Sequence, residues 1–542
     1  MIDLSKNPYL QKRSAGVSLP LSSMKGTEDW GCGDMSSLME WIEYFSKYNI
    51  KVLQILPLWE TSPREHCPYS ALSAYAIDPM YISIKDVPEV QNCQAAQEII
   101  NDLKENIENW RTSQAVQFDA IKPAKYRVLW AAYQYFENVE KQNRSERWKN
   151  FLQFQKKNAS WLLSYAIFRT AKDLYNWSSW KTWEENLKNR EIQAIKDFIV
   201  NNERQVMFFC YIQWIAQEQL EKAIAFAKEK NVSLFGDIPF GVNFDSADVW
   251  ANQTKFLLDA EVGAPKDALA QGGQKWGLPA YNWQAIEEQG FNFWRSKINR
   301  ACEIYDIFRL DHLVGFFRTW IFKQGDDVGA YDITDENEQK ARGEKFLEAV
   351  TETAKDKLPV GEDLGVIPDY MREYMKEIHM PGYRVIRWEK DNEVFREPRN
   401  YPAASLATTS THDTTTLKQW WEEMPAWQRA NFWEMVSAQK TDGNLPYTQE
   451  VNIEILKRVL GSNSDLAIFP LQDIIGTTDQ INVPGTVSPD NWTYRLPYTT
   501  KEFEDKYNSI MTTFQALIME TNRAGDVKTE DVPAEDAQNV NS

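Results

Sequence analysis

Short apolar runs alternate with longer amphipathic runs along much of the chain, and this pattern predicts an α/β protein. Asp34 precedes a run at 35–48 whose apolar positions recur at helical spacing, so it is expected to cap a helix. The apolar run at 52–57 then predicts a buried strand. Similar strand-like runs occur at 233–239, 307–310, 358–360, 383–388 and 405–407. Strands that alternate with helices in this way predict a parallel sheet with helices packed around it.

A long stretch without strand-like runs interrupts this alternation between about residues 92 and 229. It contains no glycine. Its clearest amphipathic runs lie at 126–137, 161–174 and 207–228. We therefore predict a mainly helical insertion at about 92–229 within one catalytic unit spanning 1–523. Residues 524–542 are polar, acidic and poor in aromatic side chains, a composition that predicts a disordered tail.

Three acidic motifs follow strand-like runs and place a carboxylate where each strand passes into a loop. The acids are Asp311, Glu362 and Asp413. Because the loops after the strands of a parallel barrel meet at one face, these side chains are expected to converge. The arrangement favours a (β/α)8 TIM barrel over a doubly wound sheet. No GxGxxG motif follows the first predicted strand, which counts against a dinucleotide-binding fold.

Charge and cysteine usage narrow the class of partner. The formal net charge of −18 argues against nucleic acid and anionic membrane surfaces, because both require a basic patch. No apolar run approaches the ~20 residues of a membrane span, and the first residues lack a signal-peptide pattern. Five cysteines without CxxC spacing predict neither a disulfide framework nor a zinc site. We expect a cytoplasmic protein, and the sequence leaves its oligomeric state open.

The neighbours of the three acids point to glycosidic-bond chemistry. Taken singly, each acid could equally be a helix cap or an ion-pair partner. However, His312 and His412, two of only four histidines, adjoin candidate acids. Arg309 lies two residues before Asp311, so in a strand it shares a face with that carboxylate and could keep it ionised. Cleavage with retention of configuration needs a carboxylate and a protonated carboxyl about 5–5.5 Å apart, which converging strand ends can supply.

A series of further motifs resembles the 4-α-glucanotransferases (amylomaltase, or disproportionating enzyme), a glycoside hydrolase family in the α-amylase clan. In chain order these motifs lie at 54–57, 68–75, 236–239, 245–252, 263–265, 273–277, 482–486, 491–492 and 495–497. The stretches at 277–283, 315–320 and 412–416 look closer to the plant cytosolic enzyme and its bacterial relatives. Those relatives usually carry starch-binding domains before the catalytic part. We expect none here, because catalytic motifs begin by about residue 16.

The resemblance implies a role for each matching residue. Asp311 would be the nucleophile, Glu362 the acid/base, and Asp413 the acid that grips and distorts the sugar in the −1 subsite. The implied substrate-binding residues are Tyr69, Asp237, Trp276, Arg309, His412, Pro484 and Asn491. The family needs no metal or organic cofactor and acts on α-1,4-glucans such as maltose, malto-oligosaccharides, glycogen or starch. It also lacks the C-terminal β-domain of amylases.

One loop departs from the family pattern. Where the family commonly has Pro-Asp-Tyr-Phe, this chain has Lys266-Asp-Ala-Leu269, which removes two aromatic side chains. The loss predicts a weaker grip on long glucans. Two alternative functions stay open: a glucan hydrolase on the same scaffold, and a catalytically silent glucan-binding protein. The presence of all three acids counts against the second.

Overall fold

Eight parallel strands form a closed barrel in the computed structural model, which describes residues 2–265 and 273–527. The barrel strands are β1 (Lys12–Ser18), β2 (Val52–Gln54), β3 (Ser233–Ile238), β4 (Ile307–Leu310), β5 (Leu358–Gly361), β6 (Gly382–Val385), β7 (Ser405–Thr408) and β8 (Leu466–Pro470). They pair in chain order, and β8 returns to pair with β1. The predicted (β/α)8 TIM barrel is therefore confirmed.

The sequence pattern did not reveal β1 and β8. In β1, small residues interrupt any apolar run, and close packing at Gly16 explains one of them. A Cβ there would lie 2.5 Å from Ile468 Cδ1 and 2.6 Å from the Val52 carbonyl oxygen. In β8, Pro470 is also the N-cap of the helix Leu471–Ile475, so no polar loop marks where the strand ends.

Helices cover the outside of the barrel and fill the stretch between β2 and β3. In that stretch they are Pro88–Asn92, Gln94–Asp102, Lys104–Thr112, Phe118–Tyr135, Glu146–Lys157, Leu162–Leu174, Glu185–Lys188, Ile192–Asn201 and Glu203–Glu229. A π-helical segment, Phe136–Lys141, continues the fourth of them. No helix in the described ranges is long and apolar enough to cross a membrane.

The remaining helices follow the barrel strands or join them. They are Met35–Lys47, Ala247–Ala251, Trp283–Glu287, Asn292–Cys302, Glu336–Ala354, Asp369–Glu377, Leu417–Glu423, Ala426–Ser437, Gln449–Leu460, Leu471–Ile475 and Thr500–Glu520. Asp34 caps the first helix as predicted, since its side chain accepts hydrogen bonds from the backbone N–H groups of Ser36 and Ser37.

A four-stranded antiparallel sheet lies outside the barrel, between β3 and β5 in the chain. Its strands are Phe256–Ala264, Gln274–Tyr281, Trp320–Lys323 and Ala330–Tyr331. A short hairpin joins Lys390–Asp391 to Val394–Phe395. The altered loop at 266–269 connects the first two strands of the larger sheet and lies outside the described residues.

The prediction of a disordered tail from residue 524 was wrong for its first four residues. Ala524–Val527 form a strand that pairs antiparallel with β1 at Lys12 and Ser14. This pairing is open to them because β1 begins to pair with β2 only at Gly16. Residues 528–542 lie outside the described part of the chain.

Candidate active site

The guanidinium of Arg309 joins carboxylates from three consecutive strands. Its Nη1 lies 2.8 Å from Asp237 Oδ2 on β3. Its Nη2 lies 2.8 Å from Asp311 Oδ1, just after β4, and 3.8 Å from Glu362 Oε2, just after β5. The two-residue spacing of Arg309 and Asp311 predicted their contact. Because the cation is buried, its charge acts on these acids with little screening by solvent.

Asp311 and Glu362 form a close pair held by backbone groups. The Asp311 carboxylate accepts a hydrogen bond from the N–H of Phe240, at 3.2 Å. The Glu362 carboxyl accepts from the N–H groups of His312, at 2.9 Å, and Leu364, at 3.1 Å. Since one Arg309 nitrogen lies close to an oxygen of each acid, those two oxygens can be no farther apart than the sum of its two distances. That upper limit includes the ~5–5.5 Å separation of retaining carboxyls and excludes most of the ~6.5–9.5 Å range of inverting ones.

Glu362 is poised to donate a proton near neutral pH. Burial raises the pKa of its carboxyl from 4.5 to about 7, and the negative charge of Asp311 adds to the rise while Arg309 opposes it. The side chain is only 13% exposed. A carboxyl that is partly protonated at neutral pH suits general acid and then general base catalysis.

Asp413 is held in the ionised form by His412 and Asn482. Its Oδ1 accepts a hydrogen bond from Asn482 Nδ2 at 2.7 Å, and its Oδ2 lies 3.1 Å from His412 Nε2. Burial alone would raise the pKa of this carboxyl, but His412 and Asn482 together lower it well below its ordinary value. Thr416, rather than Asp413, caps the following helix Leu417–Glu423.

Tyr69 links Asp237 to His412. Its hydroxyl donates to Asp237 Oδ2 at 2.7 Å and lies 3.1 Å from His412 Nε2. Its ring stacks on His412 with centroids 5.5 Å apart and lies 5.7 Å from the ring of Trp492. Burial raises the pKa of Asp237 to about 6, against the opposing charge of Arg309. Its Oδ1 has no hydrogen-bond partner among the described residues.

A cavity of about 390 Å³ opens above these groups. It is lined by seven predicted site residues: Trp276, Arg309, Asp311, Glu362, His412, Asp413 and Pro484. Tyr69 and Asp237 reach the site through the hydrogen bonds above. Asn491 does not line the cavity. It accepts from the N–H of Val483 and donates to the Thr486 carbonyl, so it shapes the loop that carries Pro484.

Sequence reasoning did not select four residues that the structure places in or beside this cavity. They are His312, Tyr383, Trp388 and Asn482. Burial lowers the pKa of His312 to about 4, so its ring is neutral at physiological pH, and it meets Trp276 edge-to-face at 4.9 Å. Trp388 is 51% exposed. The sequence could have identified His312, which adjoins Asp311, and Asn482, which lies in the family motif at 482–486. No local pattern distinguishes Tyr383.

Replacing Asn482 by alanine should lower kcat/KM for maltotriose about tenfold to a hundredfold, the effect of losing one hydrogen bond to a charged group. The fall follows from freeing Asp413 Oδ1. Steady-state kinetics would measure it. Val487→Ala, in the same loop and fully exposed, is the matched control and should leave kcat/KM unchanged. Equal kinetics for wild type and Asn482→Ala would show that Asp413 needs no such support.

Glu362→Gln should stabilise the fold in alkaline solution. When a carboxyl has a raised pKa in the folded state, the fold loses stability as the pH rises from the unfolded-state pKa of 4.5 towards about 7. The variant should therefore gain about 1–3 kcal/mol in the free energy of unfolding near pH 8 and nothing near pH 4, measured by urea denaturation. Exposed Glu434→Gln serves as control. An equal gain at both pH values would contradict the titration argument.

Comparison with known proteins identifies a family and several relatives whose sequences are similar to this chain. A family model described as 4-alpha-glucanotransferase matches residues 19–500. The 4-alpha-glucanotransferase of Chlamydia pneumoniae is 30% identical over 504 residues, which cover 90% of this chain and 92% of that one. The enzyme of the same name from Synechocystis is 30% identical, covering 90% of this chain and 94% of that one. The chloroplastic/amyloplastic enzyme of Solanum tuberosum is 27% identical, covering 92% and 84%.

Solved structures show the same fold. Amylomaltase from Streptococcus agalactiae in complex with acarbose superposes with a TM-score of 0.81 at 23% identity, covering 95% of this chain and all of that one. Amylomaltase from Corynebacterium glutamicum gives a TM-score of 0.78 at 21% identity, covering 94% of this chain and 76% of that one.

Proposed function

This chain belongs to the 4-alpha-glucanotransferase family, glycoside hydrolase family 77, and on that premise we propose that it transfers α-1,4-glucan segments with retention of configuration. The donors and acceptors would be maltose, malto-oligosaccharides and longer glucans such as glycogen or starch. The observation that carries the mechanism is the single Arg309 guanidinium between Asp311 and Glu362, because it holds a nucleophile and a proton donor side by side.

In the first half-reaction, Asp311 attacks the anomeric carbon of the −1 sugar. Glu362 gives its proton to the glycosidic oxygen, and the bond to the departing glucan breaks. The product is a β-glucosyl ester of Asp311. The raised pKa of Glu362 supports this role, because a large fraction of the carboxyl is protonated near neutral pH.

In the second half-reaction, Glu362 acts as a base. It takes the proton from the 4-hydroxyl of an acceptor sugar, whose oxygen attacks the anomeric carbon and releases the Asp311 carboxylate. Two inversions at the same carbon give net retention. Glu362 gives up one proton in the first half-reaction and regains one in the second, so the enzyme is unchanged after the cycle.

The −1 sugar would be gripped by ionised Asp413 and by His412. Positive charge develops on the sugar ring in the transition state, and hydrogen bonds from ring hydroxyls to a fixed carboxylate strengthen at that moment. The low pKa of Asp413 supports this role, because the group stays charged across the working pH range.

Transfer competes with hydrolysis, since water can also attack the glucosyl ester. Trp276 and neutral His312 form an uncharged, edge-to-face pair of rings on the cavity wall. We place the acceptor sugar against them, where stacking would favour a sugar hydroxyl over water.

Incubation with maltotriose tests the proposal. A transferase produces glucose together with longer oligosaccharides while the total number of reducing ends stays constant. A hydrolase raises the number of reducing ends and forms no longer chains. Chromatography of the products and a reducing-end assay distinguish the two, with Asp311→Asn as the inactive control. A steady rise in reducing ends without chain lengthening would refute the transferase assignment.

A further inference from the structure

A second cavity, of about 520 Å³, lies at the opposite mouth of the barrel from the three acids. We call it the basal cavity. Its wall includes residues at the beginning of five barrel strands: Ser14, Val52, Ser233, Ile307 and Leu466. Since the acids follow the ends of their strands, roughly 10–20 Å of barrel separates the two cavities. The basal cavity is therefore not part of the site described above.

Four lysines line the basal cavity, in a chain whose net charge is −18. They are Lys12, Lys51, Lys228 and Lys357. Only Lys357 forms an ion pair with another described residue, to Asp306 at 2.8 Å. The charges of Lys12, Lys51 and Lys228 are thus left without a described carboxylate partner.

The acids of the basal cavity do not cancel these charges. Asp306 is already engaged, because its Oδ1 pairs with Lys357 and its Oδ2 accepts from the N–H of Leu234 at 3.2 Å. Asp356 is the other acid among the described lining residues. Counted over the described residues, four cations against two carboxylates leave an excess of two positive charges within one concave site.

Neutral groups complete the lining. The hydroxyls of Ser14 and Ser233 and the amide of Asn231 can all donate hydrogen bonds there. Gly525 closes one side and runs against the Lys51 stem, since a Cβ at Gly525 would lie 3.4 Å from Lys51 Cγ. Cations together with neutral donors are the groups that bind phosphate oxygens.

We propose that the basal cavity binds a phosphorylated small molecule that carries at least two negative charges. The excess of positive charge fits such a dianion, and the volume lies in the usual range of about 300–1,000 Å³ for small-molecule sites. The site is independent of glucan transfer, so it stands whether or not that activity is found.

Binding of pyrophosphate to the full chain, followed by calorimetry at low ionic strength, tests the proposal. Pyrophosphate should bind more tightly than inorganic phosphate because it carries more charge. Lys12→Gln and Lys51→Gln should each weaken binding by roughly fivefold, the upper end for a partly exposed ion pair. Lys440→Gln removes the same charge from an exposed position outside the cavity and should leave the affinity unchanged.

A variant that ends at Val527 tests whether carboxylates of the chain itself compete with phosphate for these lysines. Glu530, Asp531, Glu535 and Asp536 follow the strand that ends opposite Lys12. Tighter pyrophosphate binding after truncation would show that these carboxylates compete for the lysines, and unchanged binding would show a site for free anions alone. Both results support an anion site. Absence of binding to both chains, or equal weakening by Lys440→Gln and Lys51→Gln, would overturn it.

Discussion

Asp311→Asn should lower the turnover of maltotriose by about 10⁴-fold or more, the scale expected when a covalent nucleophile is removed. The amide occupies nearly the same volume as the carboxylate, and its oxygen can still accept from the N–H of Phe240. The fold and glucan binding should therefore survive. Product analysis would measure turnover, and calorimetry with a malto-oligosaccharide would measure binding.

The control for this change is Asp327→Asn, which removes one negative charge from an exposed loop position. It should keep full activity. A second assay uses α-glucosyl fluoride, whose leaving group needs little protonation. Asp311→Asn should fail with this donor as well, because no group remains to attack the anomeric carbon. Release of fluoride at the wild-type rate would remove Asp311 from the role of nucleophile.

Glu362→Gln should lower the turnover of maltotriose by about 10²–10⁴-fold, the usual contribution of a general acid. The glucosyl ester should nevertheless form almost normally from α-glucosyl fluoride, since fluoride leaves without a donated proton. This difference between donors separates Glu362 from Asp311. A burst of fluoride release equal to the enzyme concentration would report the first step alone.

The pH profile gives an independent check on Glu362. With a pKa of about 7 its carboxyl loses the proton above that pH, so kcat/KM of the wild type for maltotriose should fall on the alkaline side. The alkaline fall should be absent from the residual activity of Glu362→Gln. If both proteins lose activity at the same alkaline pH, another group controls the profile.

Local sequence patterns predicted most of the barrel. All six predicted strands are barrel strands, β2 to β7, because each is a short apolar run bounded by polar residues. The strand before them, β1, was not predicted because its glycine is explained only by the close packing of Ile468 and Val52 against Gly16. The strand after them, β8, was not predicted because its apolar residues continue without a break into a helix. At the other end of the chain, Ala524–Val527 pair with β1 although their composition predicts disorder.

The candidate site divides in the same way. Spacing within one strand predicted the contact of Arg309 with Asp311, because alternate residues of a strand share a face. The contact of Asp413 with Asn482 joins residues 69 positions apart, and no periodicity reports it. The motif at 491–492 led to the prediction that Asn491 binds substrate. In the structure its side chain holds a loop by hydrogen bonds and does not line the cavity.

By itself, the sequence determined six of the eight barrel strands, that an acid follows three of them, and which family shares the order of these motifs. These properties depend on residue type and local spacing, which the chain displays directly. Only the tertiary structure decided how close the acids lie, that one buried guanidinium serves Asp311, Glu362 and Asp237, and that burial raises the pKa of Glu362 to about 7. It also brought Lys12, Lys51 and Lys228 together at the far mouth. Distance and burial arise when strands distant in sequence close into a barrel, so they have no local signature.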